Sequence, residues 1–166
     1  MELAIAVEDP QATDVGAVLA RHLMVMQENT PPAHVHALPA DGLRDPAVTL
    51  FGARRAGELL GVGALRRLDT AHAELKSMHT LAEARGQGVG RAMLNHLLYF
   101  AATSGYERVS LETGTMAAFE PARRMYESAG FRPCSPFGEY TVNPYSVCMT
   151  LALDSTLDAP VAVSAG

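Results

Sequence analysis

Apolar and polar residues alternate along this chain in two rhythms, and the rhythm changes from segment to segment. Leu3 to Val7 is a short apolar stretch of strand length. From Thr13 to Gln27 the period lengthens: Val15, Val18, Leu19, His22, Leu23 and Met26 share one face at helical spacing. Asn29 to Arg44 is rich in proline and has no period, which predicts a loop with at most short helical turns. Val48–Arg54 and Glu58–Arg67 read as a hairpin across Ala56-Gly57, and Ala73–Thr80 as the next strand. Val89, Met93, Leu94, Leu97, Leu98 and Ala101 then stripe a second helix, which Gly105 is placed to end. Arg108–Thr113 alternates, with Val109, Leu111 and Thr113 on one face and Ser110 and Glu112 on the other. Pro121 suits the first turn of a third helix that runs to about Ala129 and stops at Gly130. Ser146–Leu153 alternates again as a final strand.

The order is therefore β-α-β-β-β-α-β-α-β, with one more short strand near Phe131. It predicts an α/β (α+β) fold, a mixed central sheet of six to seven strands with helices on both faces. Residues 1–153 read as a single domain, and 154–166 as a small, polar, loose tail.

Composition narrows the class. At 166 residues and 17.7 kDa the chain suits one domain with a real core, and 48% hydrophobic residues with a mean hydropathy of +0.07 suit a globular protein. The longest apolar run falls short of the ~18 residues of a membrane span, and Met1-Glu2-Leu3 lacks the basic start of a signal peptide. Cys134 and Cys148 are too few for a disulfide framework, so a reduced, cytoplasmic setting is expected. A net charge of −5 offers no global field to attract nucleic acid, though Arg85 and Arg91 form a local basic patch.

That patch flanks the most informative stretch, Arg85-Gly86-Gln87-Gly88-Val89-Gly90, between a predicted strand and a predicted helix. A helix N-terminus presents unpaired N–H groups and a partial positive charge, and glycines let an anion approach them. The segment reads as a phosphate or pyrophosphate cradle, or else as a ligand-free strand-to-helix turn. It is not a P-loop, because Arg91 and Ala92 follow Gly90 where Lys and Ser or Thr are required. It is not the dinucleotide fingerprint either, because Gly86, Gly88 and Gly90 alternate.

Arg85, Gly88 and Gly90 match the R/Q-x-x-G-x-G/A signature of the GNAT superfamily of acetyl-coenzyme A-dependent N-acetyltransferases, which the chain resembles. Ala122-Arg123-Arg124-Met125-Tyr126-Glu127-Ser128-Ala129-Gly130-Phe131 is similar to the A-x-x-L-Y-x-x-x-G-F ending of many members, with Met125 at the Leu position. The element order also resembles that fold to about residue 153. Glu74–Thr80, Leu111–Gly114, Phe119–Ala122 and the Pro136-Phe137-Gly138-Glu139-Tyr140 segment look similar to a bacterial branch of small-molecule acetyltransferases whose substrates are poorly defined.

The resemblance implies acetyl-coenzyme A as cosubstrate and a single active site. The backbone of Arg85, Gly86, Gln87, Gly88, Val89, Gly90 and Arg91 would hold the pyrophosphate, and Met78, His79 and Thr80 would line the coenzyme arm. Tyr126 would protonate the departing thiolate; its alternative is a core aromatic. A phenol with a pKa near 10 is a suitable donor to a thiolate whose conjugate acid lies near 8.5. The family's coenzyme-contacting Asn position is Phe119 here, so only its backbone could serve in the same way.

Two carboxylates compete for the role of general base. Glu74 lies eleven residues before Arg85, a separation seen in members with a strand glutamate as base; otherwise it is a solvated charge paired with Lys76. Glu112 is the rival, on the strand that would lie beside it, and mutual repulsion in one pocket would raise one of the two pKa values.

His34, His36, Lys76, Thr113, Phe137 and Tyr140 are the candidates for the acceptor pocket. His34-x-His36 without a neighbouring cluster is a poor metal signal, so no metal is expected. His22 reads as a core histidine. Arg66, Arg67 and Lys76 could bind an acceptor carboxylate or else be surface charges. Nothing near Cys134 in the chain would lower its pKa, which favours direct transfer.

The expected activity is acetyl transfer to the primary amine of a small, amino-acid-like or similar molecule. A non-catalytic coenzyme A sensor on the same fold, or a protein-lysine acetyltransferase, is the alternative. Dimers are common in the family, so a homodimer is allowed by analogy.

Overall fold

The computed structural model describes residues 2–37 and 42–153. The expected tail at 154–166 and part of the proline-rich loop lie outside the described residues. The elements are β1 (Leu3–Val7), α1 (Thr13–Asn29), β2 (Val48–Arg55), β3 (Glu58–Arg67), β4 (His72–Thr80), α2 (Val89–Thr103), β5 (Arg108–Gly114), α3 (Glu120–Ser128), β6 (Arg132–Cys134) and β7 (Ser146–Ala152). β6 is the short strand expected near Phe131. The proline-rich loop holds two single-turn 3₁₀ helices, Pro32–His34 and Gly42–Arg44.

Local chemistry accounts for the boundaries. α1 runs two residues past its periodic stretch, and in its last turn the Asn29 side-chain amide donates to the Val25 carbonyl at 2.8 Å. Ala56 and Gly57 both have positive φ, 53° and 81°, the geometry of a tight hairpin turn that follows strand twist. α2 buries its whole apolar stripe: Val89, Met93, Leu94, Leu97, Leu98 and Ala101.

All seven strands form one sheet in the order β1-β2-β3-β4-β5-β7-β6. β4 and β5 run parallel, and every other neighbouring pair is antiparallel. α1 and α2 cover opposite faces. A Cβ on Gly63 of β3 would stand 2.9 Å from Met93 and Leu97 of α2 and 2.7 Å from the Met78 sulfur. The next residue of β4, His79, instead meets His22 of α1, as alternation along a strand requires.

Two irregularities at the centre of the sheet position the site. Between the pairs Val62↔His79 and Ala64↔Lys76, the single residue Gly63 opposes both Ser77 and Met78. This is a β-bulge, and Ser77 adopts φ 56° within it, a strained conformation for a residue with a side chain. Second, the β4–β5 ladder stops at Leu75↔Leu111, although β4 continues to Thr80 and β5 to Gly114. Beyond that point the strands flank a gap, and their facing edges are open to a ligand.

Candidate active site

The gap opens into a cleft of about 720 Å³, within the range of small-molecule sites. Its long axis follows β4, and neighbouring contacts fix its direction. Arg21 of α1 faces Glu83 at 3.7 Å, and His22 meets His79 with the two Nδ1 atoms 3.3 Å apart. Lys76 donates to the His36 carbonyl at 3.3 Å. α1 therefore runs from the glycine loop towards the Glu74–Lys76 end.

At the first end, Gly86 and Gly88 hold φ 77° and 81°, and Gly88 is the left-handed N-cap of α2 with no side-chain cap. A residue with a Cβ would be strained there. The first N–H groups of α2 are left to whatever enters the cleft. Arg85, Gly86, Gly88, Val89, Gly90 and Arg91 line this end, with Met78, His79, Thr80, Phe119 and Tyr126 further along. Gln87 turns its side chain away, accepting from Arg55 at 2.8 Å and donating to the Glu83 carbonyl at 3.2 Å.

These residues fit a coenzyme A molecule. The helix N-terminus and two arginines suit a pyrophosphate, and the unpaired strand edges suit the amides of an extended pantetheine arm. Ser77 adds an independent sign. It is 8% exposed and lines the cleft, and its hydroxyl finds no partner among the described residues. A buried polar orphan of this kind calls for a bound group to complete it.

Tyr126 is 5% exposed and lines the cleft. Burial raises its pKa, so the phenol keeps its proton. Its ring packs against Phe131, as a core aromatic does, and it also lines the cleft.

At the other end, side chains replace backbone. Glu74 is not a solvated charge but 3% exposed, and Lys76 is 8% exposed. Glu74 Oε2 accepts from the Tyr140 hydroxyl in a short hydrogen bond and from Lys76 Nζ at 3.3 Å. Lys76 also donates to Tyr140 Oη at 2.9 Å. The Tyr140 ring stands edge-on to His36 and to Phe137, at centroid distances of 5.1 Å each.

Glu112 lies across the gap and accepts no hydrogen bond from the described residues. Burial pushes its carboxyl up to about 7; the Glu74 charge adds to this rise and Lys76 opposes it. Thr113 also lines the cleft.

Two acceptor candidates fall outside the lining. His34 packs on Tyr145, at a centroid distance of 4.8 Å, and Phe137 rests between His72 and Tyr140. Phe137 thus backs the lining residue Tyr140, whereas, among the described residues, His34 contacts no lining residue through its ring. Arg66 and Arg67 are also outside it. His22, read as a core residue, lines the cleft together with His79, and burial holds both near pKa 4, hence neutral at pH 7. Among the described residues no cluster of three metal-ligating side chains occurs, and no helix is long and apolar enough to cross a membrane.

Residues 18–131 match the model of the acetyltransferase (GNAT) family. Over 149 residues the chain is 46% identical to an uncharacterized N-acetyltransferase, YsnE, of Bacillus subtilis (strain 168), covering 90% of this chain and 99% of that protein. It is 37% identical over 156 residues to an uncharacterized N-acetyltransferase, YedL, of Escherichia coli (strain K12), covering 94% and 98%. In fold it is similar to a GNAT family acetyltransferase from Elizabethkingia anophelis solved with acetyl-CoA bound, with a TM-score of 0.67 at 16% identity, covering 91% of this chain and 98% of that one.

Proposed function

The chain belongs to the GNAT acetyltransferase family, and from that premise we propose that its cleft acetylates the primary amine of a small molecule by direct transfer. The observation that carries this reading is the meeting, in one cleft, of a glycine-rich helix N-terminus, a protonated Tyr126 and an unpaired Glu112.

Bound acetyl-coenzyme A would supply the acetyl group as a thioester. Residues 85–91 would hold its pyrophosphate through backbone N–H groups, with Arg85 and Arg91 adding charge. The open edges of Met78 and Thr80 would pair with its arm. The N–H groups at the Ser77–Met78 bulge would stabilise negative charge developing on the carbonyl oxygen.

Glu112 is assigned as the general base. An amine arrives as ammonium and must lose a proton before it attacks. A carboxyl near 7 is a far better acceptor of that proton than an ordinary glutamate. Glu74 is assigned a positioning role, because its carboxylate already receives the Tyr140 and Lys76 hydrogens. Tyr126 gives its phenolic proton to the leaving sulfur. Burial raises the pKa of Cys134 and drives that of Cys148 to about 11, so neither thiol is disposed to carry the acetyl group.

The test is thiol release from acetyl-coenzyme A over a panel of small amines and a lysine peptide. Release that depends on a small amine, and that is lost in Tyr126→Phe, supports the reading. Coenzyme A binding without release for any acceptor would overturn it in favour of a sensor.

A further inference from the structure

The acceptor end contains one ammonium group, and its hydrogen-bonding capacity is already used. Lys76 Nζ has three hydrogens, and the structure gives them three acceptors: Tyr140 Oη at 2.9 Å, Glu74 Oε2 at 3.3 Å and the His36 carbonyl at 3.3 Å. Its charge is matched by Glu74 within the same buried knot.

Among the described residues, no other Lys or Arg lines this end. Arg85 and Arg91 belong to the glycine loop, with Arg85 Nε donating to the Thr80 carbonyl and Arg91 to Ser128. Arg66 lies across from Glu74 on β3, outside the cleft lining. Among the described residues, what remains uncompensated at this end is a carboxylate, Glu112; Val25, Met26 and Ala37 line the same cleft, with Asn29 and His36 as neutral polar neighbours.

An acceptor amine can place its positive charge against Glu112. A carboxylate on the carbon next to that amine would enter the same space, beside two glutamates, with neutral donors such as Thr113 but no uncompensated cation among the described residues. A buried charge without a partner is strongly disfavoured.

We infer that the acceptor is a primary amine on an uncharged, largely apolar carbon skeleton, an alkyl- or arylalkylamine, and that the saturated Lys76 knot excludes α-amino acids. This rests on the acetyltransferase reading above and narrows it.

The experiment compares matched pairs as acceptors at saturating acetyl-coenzyme A: 3-methylbutylamine with leucine, and 2-phenylethylamine with phenylalanine. Leucinamide, which has the bulk of leucine without its negative charge, is the control. The expected kcat/KM for each amine exceeds that of its amino acid by about 10²-fold or more, with leucinamide close to the amine. In Tyr140→Phe one Lys76 hydrogen becomes free for an acceptor carboxylate. The amine-to-amino-acid ratio should then fall about tenfold, whereas mere weakening of the wall would lower both members together.

Amino acids used as well as their amines would overturn the inference and leave the transferase reading standing. Leucinamide as poor as leucine would replace charge with size and overturn it too. A ratio unchanged by Tyr140→Phe would remove Lys76 as the cause. No release from any amine or amino acid, with coenzyme A still bound, would overturn the transferase reading and this inference with it.

Discussion

The two ends of the cleft are built by different means. The glycine-loop end is made of backbone: six consecutive residues, two of them glycines at positive φ, deliver a helix N-terminus to the cleft. The Glu74–Tyr140 end is made of side chains from separate parts of the chain: the end of α1, residues 36–37, β4, β5 and the segment before β7. On the function proposed above, the backbone end would take what every substrate pair shares, a phosphate-bearing donor. A site of side chains can be retuned one residue at a time, which suits it to the acceptor.

The largest effect should come from breaking the backbone end. Gly88→Asp should abolish coenzyme A binding in calorimetry while the fold survives. Asp is among the residues that best accept left-handed backbone, and it would put bulk and a negative charge into the anion site. Retained binding would mean that the loop is not the anion site.

Tyr126→Phe should lower turnover by about 10²–10⁴-fold with coenzyme A affinity kept. Unchanged turnover would leave Tyr126 a core aromatic only.

Glu112→Gln should reduce kcat/KM by about 10²-fold and abolish the limb of the pH profile near 7. If the limb persists in this variant and disappears in Glu74→Gln, the roles assigned to the two glutamates are reversed.

The same Glu112 variant sharpens the contrast through stability. The folded pKa of about 7 lies above the ordinary 4.5, so folding favours the protonated carboxyl. Its contribution is fully present below pH 4.5 and is lost as the pH rises through 7. Glu112→Gln should therefore be about 1–3 kcal/mol more stable than the parent at pH 8 and no different at pH 4, by denaturant melts.

The smallest effect is expected from Ser77→Ala. Loss of one neutral hydrogen bond to a bound group should raise the coenzyme A Kd about fivefold. An unchanged Kd would show that the hydroxyl stays unpaired when the cleft is filled.

Reading the chain in order found most elements because each rests on local rules. The stripe from Val89 to Ala101 needs only a helical period, and Ala56-Gly57 needs only turn geometry. The boundary shifts were small, as at the end of α1, which runs two residues past its periodic stretch. The glycine loop and Tyr126 were legible for the same reason, since short consecutive motifs hold them.

The acceptor end was legible only as a roster of residues. Nothing in the order of residues places Tyr140 against Glu74, sixty-six positions away, or His22 against His79. Ser77 gave no local signal, because its strain arises only where β4 bulges against Gly63. Lys76 looked like a surface charge or a free carboxylate binder until its three acceptors came together around it. The amino-acid sequence by itself determined the periods, the turns and the glycine loop that opens α2, because these depend on neighbours along the chain. The tertiary structure decided that Glu112 stands half-buried without a partner among the described residues and that Glu74 is buried and paired. Desolvation and hydrogen bonding depend on what lies nearby in space, and the chain order of a sheet does not record that.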